Sequence, residues 1–328
     1  MVTIIDIARL AGVAKSTVSR YLNGGAVSEE TRHKIERVIK ETGYVPNTFA
    51  QSLKAKRTGM IGTIVPRLNS YAASRTMMGI DDQLKEAEYQ MLIANTNQNI
   101  EREIDNIYSF ARQKAAGIIL LATEITPAHL EAVRSVNIPF LIVGQQHEQL
   151  YSVTHDDESS AYDLGKMVLS KGHRKIAYLG VTERDVAVGL KRKQGFARAV
   201  EQAGDCEVRY YETSFAIADA RELALQIMQS SDCPDVFVCA TDNIALGVLK
   251  SAYQLGRSVP EHFSITGFGG YDVTEIVHPG ITTVQYDYQA AGMLAARNIV
   301  HLINGEPIPK ISISGYQIIE RESLASFQ

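Results

Sequence analysis

Hydrophobic positions recur at helical spacing near the start of the chain and in short β-branched runs after residue 59. Three amphipathic helices are predicted within the first 43 residues, separated by Gly12 and by a polar segment before Ser28. Their apolar positions are Ile4, Ile7, Ala8 and Leu10 in the first helix, Val18 and Leu22 in the second, and Ile35, Val38 and Ile39 in the third. These positions are expected to close a small helical core.

The second predicted helix carries side chains that suit DNA. Lys15, Ser16, Ser19 and Arg20 fall on its exposed face, after a turn centred on Gly12. A short helix of this kind enters the major groove, where such side chains reach base edges and phosphates. The pattern predicts a helix-turn-helix headpiece over residues 1–57 that binds double-stranded DNA. The alternative is a small helical bundle with no role in DNA binding.

A short hinge helix is predicted over residues 46–54. It is barely two turns long, so it needs tertiary or DNA contacts to persist in water. Leu53, followed by a cluster of basic residues at 54–57, is a candidate wedge for the minor groove. The alternative is an ordinary linker whose leucine packs at the domain boundary.

From residue 58 onwards, β-branched runs alternate with amphipathic helical segments, which predicts parallel sheets with helical crossovers. Two such series of roughly 100–130 residues would form two α/β lobes with a ligand cleft at the carboxyl ends of their strands. The predicted strands are 60–65, 90–94, 117–121, 139–143, 175–179, 236–239 and 263–266, and the predicted helices include 76–87, 161–171 and 190–204.

The distribution of charge supports this division. The net charge is −4, yet residues 1–58 hold ten Lys and Arg against five Asp and Glu. A cationic module on an anionic body suits phosphate binding at one end. There is no long apolar run and no secretory signal pattern, so we expect a cytoplasmic protein that does not enter a membrane.

No catalytic, metal or cofactor motif is evident. The three cysteines and eight histidines lack ligand spacing, and neither a phosphate-binding loop nor a nucleophile motif is present. We therefore expect no enzyme activity, no metal and no cofactor. The strand ends instead carry amide, hydroxyl, charged and aromatic groups suited to a polyol, namely Asn69, Ser70, Tyr71, Gln145, Gln146, Thr241 and Asp242.

The headpiece resembles that of the lactose/galactose repressor family, through V-T-I-I-D-I-A-R-L-A-G-V-A-K-S-T-V-S-R-Y-L-N, V-S-E-E-T-R and G-Y-V-P-N-T-F-A-Q-S-L. The resemblance implies base contacts from Lys15, Ser16 and Arg20 and a kink at the operator centre made by Leu53. Ala14 stands where relatives usually have a capping serine. The whole set of DNA-binding residues that it implies is Thr3, Lys15, Ser16, Thr17, Ser19, Arg20, Asn23, Ser28, Thr31, Tyr44, Asn47, Gln51 and Leu53.

The resemblance extends through the rest of the chain and implies a two-lobe core like that of periplasmic binding proteins. Its subdomains would be 58–158 plus about 288–315 and 159–287 plus about 316–328. Many relatives have a G-Y-D segment after the strand at 263–266, and its aspartate contacts a sugar hydroxyl. This chain has Gly269-Gly270-Tyr271 there, so Tyr271 or Asp272 is expected to contribute instead. The implied effector-binding residues are Asn69, Ser70, Tyr71, Gln145, Arg192, Thr241, Asp242, Tyr271, Tyr286 and Tyr288, with Arg192 as the clamp on hydroxyl groups.

Within the family, the resemblance is greatest to sucrose- or trehalose-type operon repressors of Gram-positive bacteria. It implies a homodimeric repressor that a small sugar or sugar phosphate releases from a palindromic operator. Two alternatives remain open from the sequence, a corepressor-dependent catabolite-type regulator and a sugar-binding transport receptor. The cationic headpiece and the absence of a signal pattern argue against the receptor.

Overall fold

The computed structural model describes residues 2–22, 24–44 and 58–327. The chain divides into two compact units, a headpiece (Met1–Thr58) and a core (Gly59–Gln328). No helix in the described part of the chain combines the length and the apolar character that a membrane span requires.

The headpiece contains three helices whose ends are set by local capping. These are α1 (Ile4–Ala11), α2 (Lys15–Leu22) and α3 (Glu29–Thr42). Thr3 and Asp6 form a capping box at the start of α1, and Gly12 ends the helix in the left-handed conformation at φ 64°. The Ser28 hydroxyl accepts the Thr31 amide proton at the start of α3, so each of these two helices begins with a satisfied amide.

The headpiece core is made from the side of each helix that the hydrophobic spacing predicts. Ile7, Val18 and Ile35 are completely buried where the three helices meet. Leu10 departs from the prediction, since 56% of its surface is exposed. The buried side of α1 runs through Ile7 and Ala11, and Leu10 points away from it.

The first lobe of the core is built on a wholly parallel six-stranded sheet. Its strands are β1 (Met60–Val65), β2 (Gln90–Asn95), β3 (Gly117–Leu121), β4 (Phe140–Val143), β5 (Tyr151–His155) and β11 (Ile311–Ser314), in the order β11-β5-β4-β3-β1-β2. Its helices are α4 (Tyr71–Glu86), α5 (Ile100–Arg112), α6 (Pro127–Val136) and α12 (Tyr288–Asn304). Gly79 and Gly292 allow α4 and α12 to pack closely, because a Cβ at either position would lie 2.0 Å from a backbone oxygen of the other helix.

The second lobe has the same plan with one antiparallel strand. Its strands are β6 (Lys175–Gly180), β7 (Glu207–Glu212), β8 (Val236–Cys239), β9 (Ser264–Gly269), β10 (Thr282–Tyr286) and β12 (Tyr316–Ile319), in the order β12-β10-β9-β8-β6-β7. Only the β10–β12 pair is antiparallel among these described strands. Its helices are α7 (Asp157–Ser170), α8 (Arg192–Ala203), α9 (Ile217–Gln229), α10 (Asp242–Gln254) and α11 (Val273–Ile276).

Three segments carry the described chain between the lobes. They lie between β5 and α7, between β10 and α12, and between β11 and β12. The resemblance to the repressor family implies that the run from Thr282 to Tyr288 is a strand returning to the first lobe. In the structure β10 belongs instead to the second sheet, and the chain enters the first lobe only with α12.

Three helices differ from the sequence prediction at their starts. The helix predicted from Thr76 begins at Tyr71, because the Ser70 hydroxyl caps it by accepting the Ala73 amide proton. The helix predicted from Ala161 begins at Asp157, because the Asp156 carboxylate caps it by accepting the Ser159 amide proton. The helix predicted from Leu190 begins at Arg192, after a π-helix over Val186–Lys191.

Candidate functional site

The headpiece offers a cationic face on α2. Lys15, Ser16 and Arg20 are exposed there, whereas Thr17 and Ser19 are partly buried. Among the described residues neither Lys15 nor Arg20 forms an ion pair, so both charges are available to phosphates. The Tyr21 hydroxyl donates to Glu36 Oε1 over 3.1 Å and fixes α2 against α3.

The remaining DNA-binding predictions fall into two groups. Thr3, Ser28 and Thr31 take part in the helix caps described above, and Tyr44 is partly buried where α3 ends. Asn23, Asn47, Gln51, Leu53 and the predicted hinge helix over 46–54 lie outside the described residues. All of these assignments stay predictions.

A cavity of about 140 Å³ lies between the two lobes of the core. The carboxyl ends of strands from both sheets converge on it, as the topology of parallel sheets requires. The polar and aromatic side chains that line it are Arg67, Ser70, Thr76, Thr123, Gln145, His155, Asp157, Asp185, Arg192, Phe215, Thr241, Tyr271 and Tyr288.

Arg192 is held rigidly in the cavity wall. Its Nε donates to Asp157 Oδ1 over 2.7 Å and its Nη1 donates to the Ala240 carbonyl over 2.7 Å, while its guanidinium carbon lies 5.1 Å from the centroid of the Tyr286 ring. The Tyr286 hydroxyl donates to Asp157 Oδ1 over 3.2 Å. Desolvation lowers the Arg192 pKa, but the neighbouring Tyr286 and Asp157 raise it, and the net result is a pKa well above its usual value. The guanidinium is therefore a fixed, fully charged donor.

His155 occupies the cavity wall at the end of β5. Its Nδ1 lies 2.5 Å from the Ser314 hydroxyl, and its ring packs on those of Tyr286 and Tyr288. Burial lowers the His155 pKa from 6.5 to about 4, and of the smaller effects that of Asp157 raises the pKa while that of Arg192 lowers it further. The imidazole is therefore neutral at pH 7.

Aromatic rings and an ion pair link the two lobes beside the cavity. The rings of Tyr71 and Tyr271 stack with centroids 4.3 Å apart. Asp272 accepts hydrogen bonds from the Tyr71 hydroxyl over 2.9 Å and from Arg75 Nη2 over 2.6 Å. A second link joins Gln145 Nε2 to Asp185 Oδ1 over 3.4 Å. These contacts connect the two lobes directly beside the cavity.

Asp242 lies behind the cavity wall and not on it. Its carboxylate accepts from the Thr283 hydroxyl over 2.6 Å and from the Tyr271 amide over 2.8 Å. Burial raises the Asp242 pKa from 3.8 to about 6, against the lowering effect of these hydrogen bonds. A Cβ at Gly269 would lie 2.3 Å from the Tyr271 ring, so the glycine makes room for the tyrosine that enters the cavity. The role of Asp242 in this structure is to position Tyr271.

The structure brings most of the sequence-predicted effector residues together. Ser70, Gln145, Arg192, Thr241, Tyr271 and Tyr288 line the cavity. Tyr71 reaches it through its stacking on Tyr271, and Tyr286 and Asp242 lie directly behind the wall. Asn69 is exposed and does not line it.

Sequence reasoning missed seven of these polar and aromatic lining residues, among them Thr76 and Thr123. Arg67 lies two residues after β1 and His155 is the last residue of β5, and a polar residue at the end of a buried strand was the available signal. Asp157, Asp185 and Phe215 had no comparable signal. Asp157 follows the crossing to the second lobe, Asp185 precedes the π-helix, and Phe215 lies in the loop before α9. In the described part of the chain, no three His, Cys, Asp or Glu side chains are grouped as a metal site would require.

Comparison with known proteins adds two family matches. Residues 3–47 match the model of bacterial regulatory proteins of the lacI family, and residues 166–324 match a periplasmic binding protein-like domain. The chain is 42% identical to the sucrose operon repressor of Staphylococcus xylosus over 94% of this chain and 96% of that protein.

Solved structures share the fold over nearly the whole chain. A lac repressor dimer bound to operator and an anti-inducer superimposes with a TM-score of 0.90 at 21% identity, covering 99% of both chains. A complex of the transcriptional regulator CelR with cellobiose has a TM-score of 0.74 at 26% identity, covering 98% of this chain and 100% of that one.

Proposed function

This chain belongs to the lacI family of bacterial regulatory proteins, and on that premise we propose that it represses a sugar-utilisation operon. It binds a palindromic operator as a homodimer, and a small sugar or sugar phosphate in the cleft releases it. Two headpieces are needed because each half of a palindrome takes one recognition helix. On this proposal the chain acts by binding and catalyses no reaction.

The observation that carries the effector half of the proposal is the composition of the inter-lobe cavity. Fixed donors such as Arg192 and Gln145 stand beside the stacked rings of Tyr71 and Tyr271. A sugar offers both surfaces that this wall would match, since its hydroxyls take paired hydrogen bonds and its ring face packs on aromatic side chains. The names of the similar sucrose repressor and of the cellobiose complex support the same class of ligand.

The DNA half of the proposal rests on α2. Lys15, Ser16 and Arg20 lie exposed on one side of this helix, within the segment that matches the family model. We assign Lys15 and Arg20 to base and phosphate contacts in the major groove. Leu53, in the predicted hinge helix, would enter the minor groove at the operator centre.

Communication between the cleft and the headpieces would depend on the position of the first lobe. His155, Asp157 and Tyr288 line the cavity and also flank two of the segments that cross between lobes. An effector that contacts them changes the angle between the lobes and thereby the spacing of two hinge helices in a dimer. Because a two-turn helix is marginal alone, a coupling free energy of about 1–3 kcal/mol suffices to melt it.

Operator release tests the proposal directly. Fluorescence anisotropy of a labelled operator fragment, drawn from upstream of the chain's own gene, is measured with the full-length protein and a panel of mono- and disaccharides and their phosphates. The expected result is specific binding that at least one sugar weakens. A sugar that strengthens binding indicates a corepressor and contradicts the proposed direction, and no binding to operator at low salt removes the proposal.

A pair of variants separates specific contacts from fold defects. Arg20→Ala is expected to weaken operator binding and to reduce its salt dependence. Arg9→Ala, on the exposed side of α1, is the matched control and is expected to change operator affinity little. Equal losses in both variants would show that α2 is not the recognition helix.

A further inference from the structure

Two arginines line the inter-lobe cavity, and their surroundings differ. Arg192 is held by Asp157 and by the Ala240 carbonyl through two of its five N–H groups, and the others remain available to a ligand. Arg67, which follows β1 in the first lobe, has no comparable hydrogen bond to any residue that the structure describes. Among the residues that the structure describes, no acceptor lies within hydrogen-bonding distance of its Nε, although that atom is buried. Burying an unpaired donor of a cation costs free energy, so a ligand that supplies an acceptor at this position is favoured.

The guanidinium of Arg67 is also held in place. Its central carbon lies 4.3 Å from the centroid of the Phe215 ring, which belongs to the second lobe. The ring supports one face of the guanidinium and provides no hydrogen-bond acceptor. Burial lowers the Arg67 pKa, with smaller opposing effects from Tyr271 and Asp185. The group is thus desolvated and oriented at the cavity without a counter-charge in contact.

Asp185 is the carboxylate that faces Arg67 from the second lobe, but its oxygens accept hydrogen bonds from other groups. Its Oδ1 accepts from the Val188 amide over 3.1 Å and from Gln145 Nε2 over 3.4 Å. Within the described chain the two side chains form no ion pair. Burial raises the Asp185 pKa, against the lowering effects of the Val188 amide and of Arg192 and Arg67. The space beside Arg67 therefore remains favourable for a negatively charged ligand group.

We propose that Arg67 binds an anionic group of the effector, so that the effector is a phosphorylated sugar and not a neutral one. This inference rests on the proposed function and identifies the chemical class of the ligand at the same site. A planar guanidinium presents two parallel N–H groups that match two oxygens of a phosphate. Arg192 and Gln145 would take hydroxyls of the sugar, while Arg67 takes the phosphate at the Phe215 side of the cavity.

The test compares matched pairs of ligands on the full-length protein. Isothermal titration calorimetry is carried out with sucrose, trehalose, glucose and fructose, with the 6-phosphate of each, and with inorganic phosphate. In the wild type, one phosphorylated sugar is expected to bind about 10- to 100-fold more tightly than its neutral partner, the value of one charge-assisted contact. Arg67→Gln is expected to remove this preference while the affinity for the neutral sugar changes less than about 3-fold.

Two further variants make the result specific to the guanidinium. Arg67→Lys keeps the charge but loses the paired donors, so an intermediate preference is expected. Arg184→Gln alters an exposed arginine outside this cavity and is expected to leave all ligand affinities unchanged. Thermal unfolding of each variant excludes a general loss of structure.

Three results would overturn the inference. Equal affinity for the neutral and the phosphorylated sugar overturns it and leaves the proposed function intact, provided that the neutral sugar still releases operator. Equal weakening of both ligands in Arg67→Gln assigns Arg67 to the sugar or to the fold. Operator release by inorganic phosphate alone would show that the anion acts without a sugar, and this overturns the assignment of a phosphorylated sugar as the effector. If no member of any pair binds, the proposed function fails together with the inference.

Discussion

Arg192 Nε and Asp157 Oδ1 are 2.7 Å apart, and this ion pair joins the first residue of α8 to the first residue of α7 inside the protein. Both residues are at least 95% buried. The pair gives the cavity its fixed donor, and it also ties together two helices of the second lobe. Its loss is therefore expected to affect folding as well as ligand binding.

Arg192→Gln leaves an uncompensated carboxylate in the interior. The free energy of unfolding should fall by about 3–5 kcal/mol, as when one partner of a buried ion pair is removed. The double variant Arg192→Gln with Asp157→Asn should recover part of this loss, because no buried charge remains. Urea unfolding followed by circular dichroism measures both, and a double variant no more stable than Arg192→Gln would disprove the coupling.

The buried imidazole of His155 predicts a defined pH dependence. Its pKa is about 4 in the folded chain and 6.5 in the unfolded chain. As the pH falls from 6.5 to about 4, the unfolded chain takes up a proton that the folded chain does not, so folding loses up to about 3 kcal/mol. Asp157, Arg192 and Asp287 are the charged groups that modulate this pKa.

His155→Gln removes that titration. The difference in unfolding free energy between wild type and variant should shrink by this amount between pH 7 and pH 4, because other acidic groups cancel in the difference. Asp242, whose raised pKa favours folding at low pH, is among the groups that cancel. A difference that stays constant with pH would show that His155 is not desolvated.

The contact of Asp272 with Tyr71 and Arg75 is expected to contribute modestly to ligand affinity. It bridges the lobes but is exposed, and exposed ion pairs contribute about 0.2–1 kcal/mol. Asp272→Asn should therefore weaken effector binding by no more than about 5-fold. Glu261→Gln, at an exposed carboxylate elsewhere, is the control in the calorimetric titration. A loss above 50-fold would place Asp272 in direct contact with the ligand.

Ala14 is a natural target for stabilising the headpiece. Its carbonyl accepts the Thr17 and Val18 amide protons at the start of α2, but its methyl group caps nothing. Ala14→Ser should stabilise α2 by about 1 kcal/mol and slow hydrogen exchange of its amides in the full-length protein. Ala26→Ser, in the exposed segment before α3, is the control. Unchanged exchange would mean that water already satisfies these amides.

The sequence predicted the buried strands better than the edges of the sheets. β1, β3 and β8 are continuous apolar runs covered on both faces, and such runs are recognisable without a structure. β7 lies at an edge and reads E-V-R-Y-Y-E, so its pattern carried no such signal. β12 is four residues long and pairs antiparallel beside β10, a neighbour far away in sequence.

The candidate site divides in a similar way. Gln145 and Thr241 follow buried strands, so the topology of a parallel sheet predicts their convergence. The position of Asp242, directly after Thr241, predicts it at the cavity equally well. Its carboxylate nevertheless points into the protein, where it accepts a hydrogen bond from Thr283. Position on a strand end does not determine the direction of a side chain, and the loops that deliver Asp185 and Phe215 have no periodicity to read.

The three segments that connect the lobes carry a mechanical consequence. His155 and Ser314 are the last residues before two of them and are hydrogen-bonded to each other. Tyr286 and Tyr288 flank the third and pack on His155. A molecule seated against these groups sits at the pivot of the two halves, where a displacement of a fraction of an ångström becomes a larger sweep at their outer ends. The gain or loss of one ligand hydroxyl can thus change the position of parts of the protein far from the binding site.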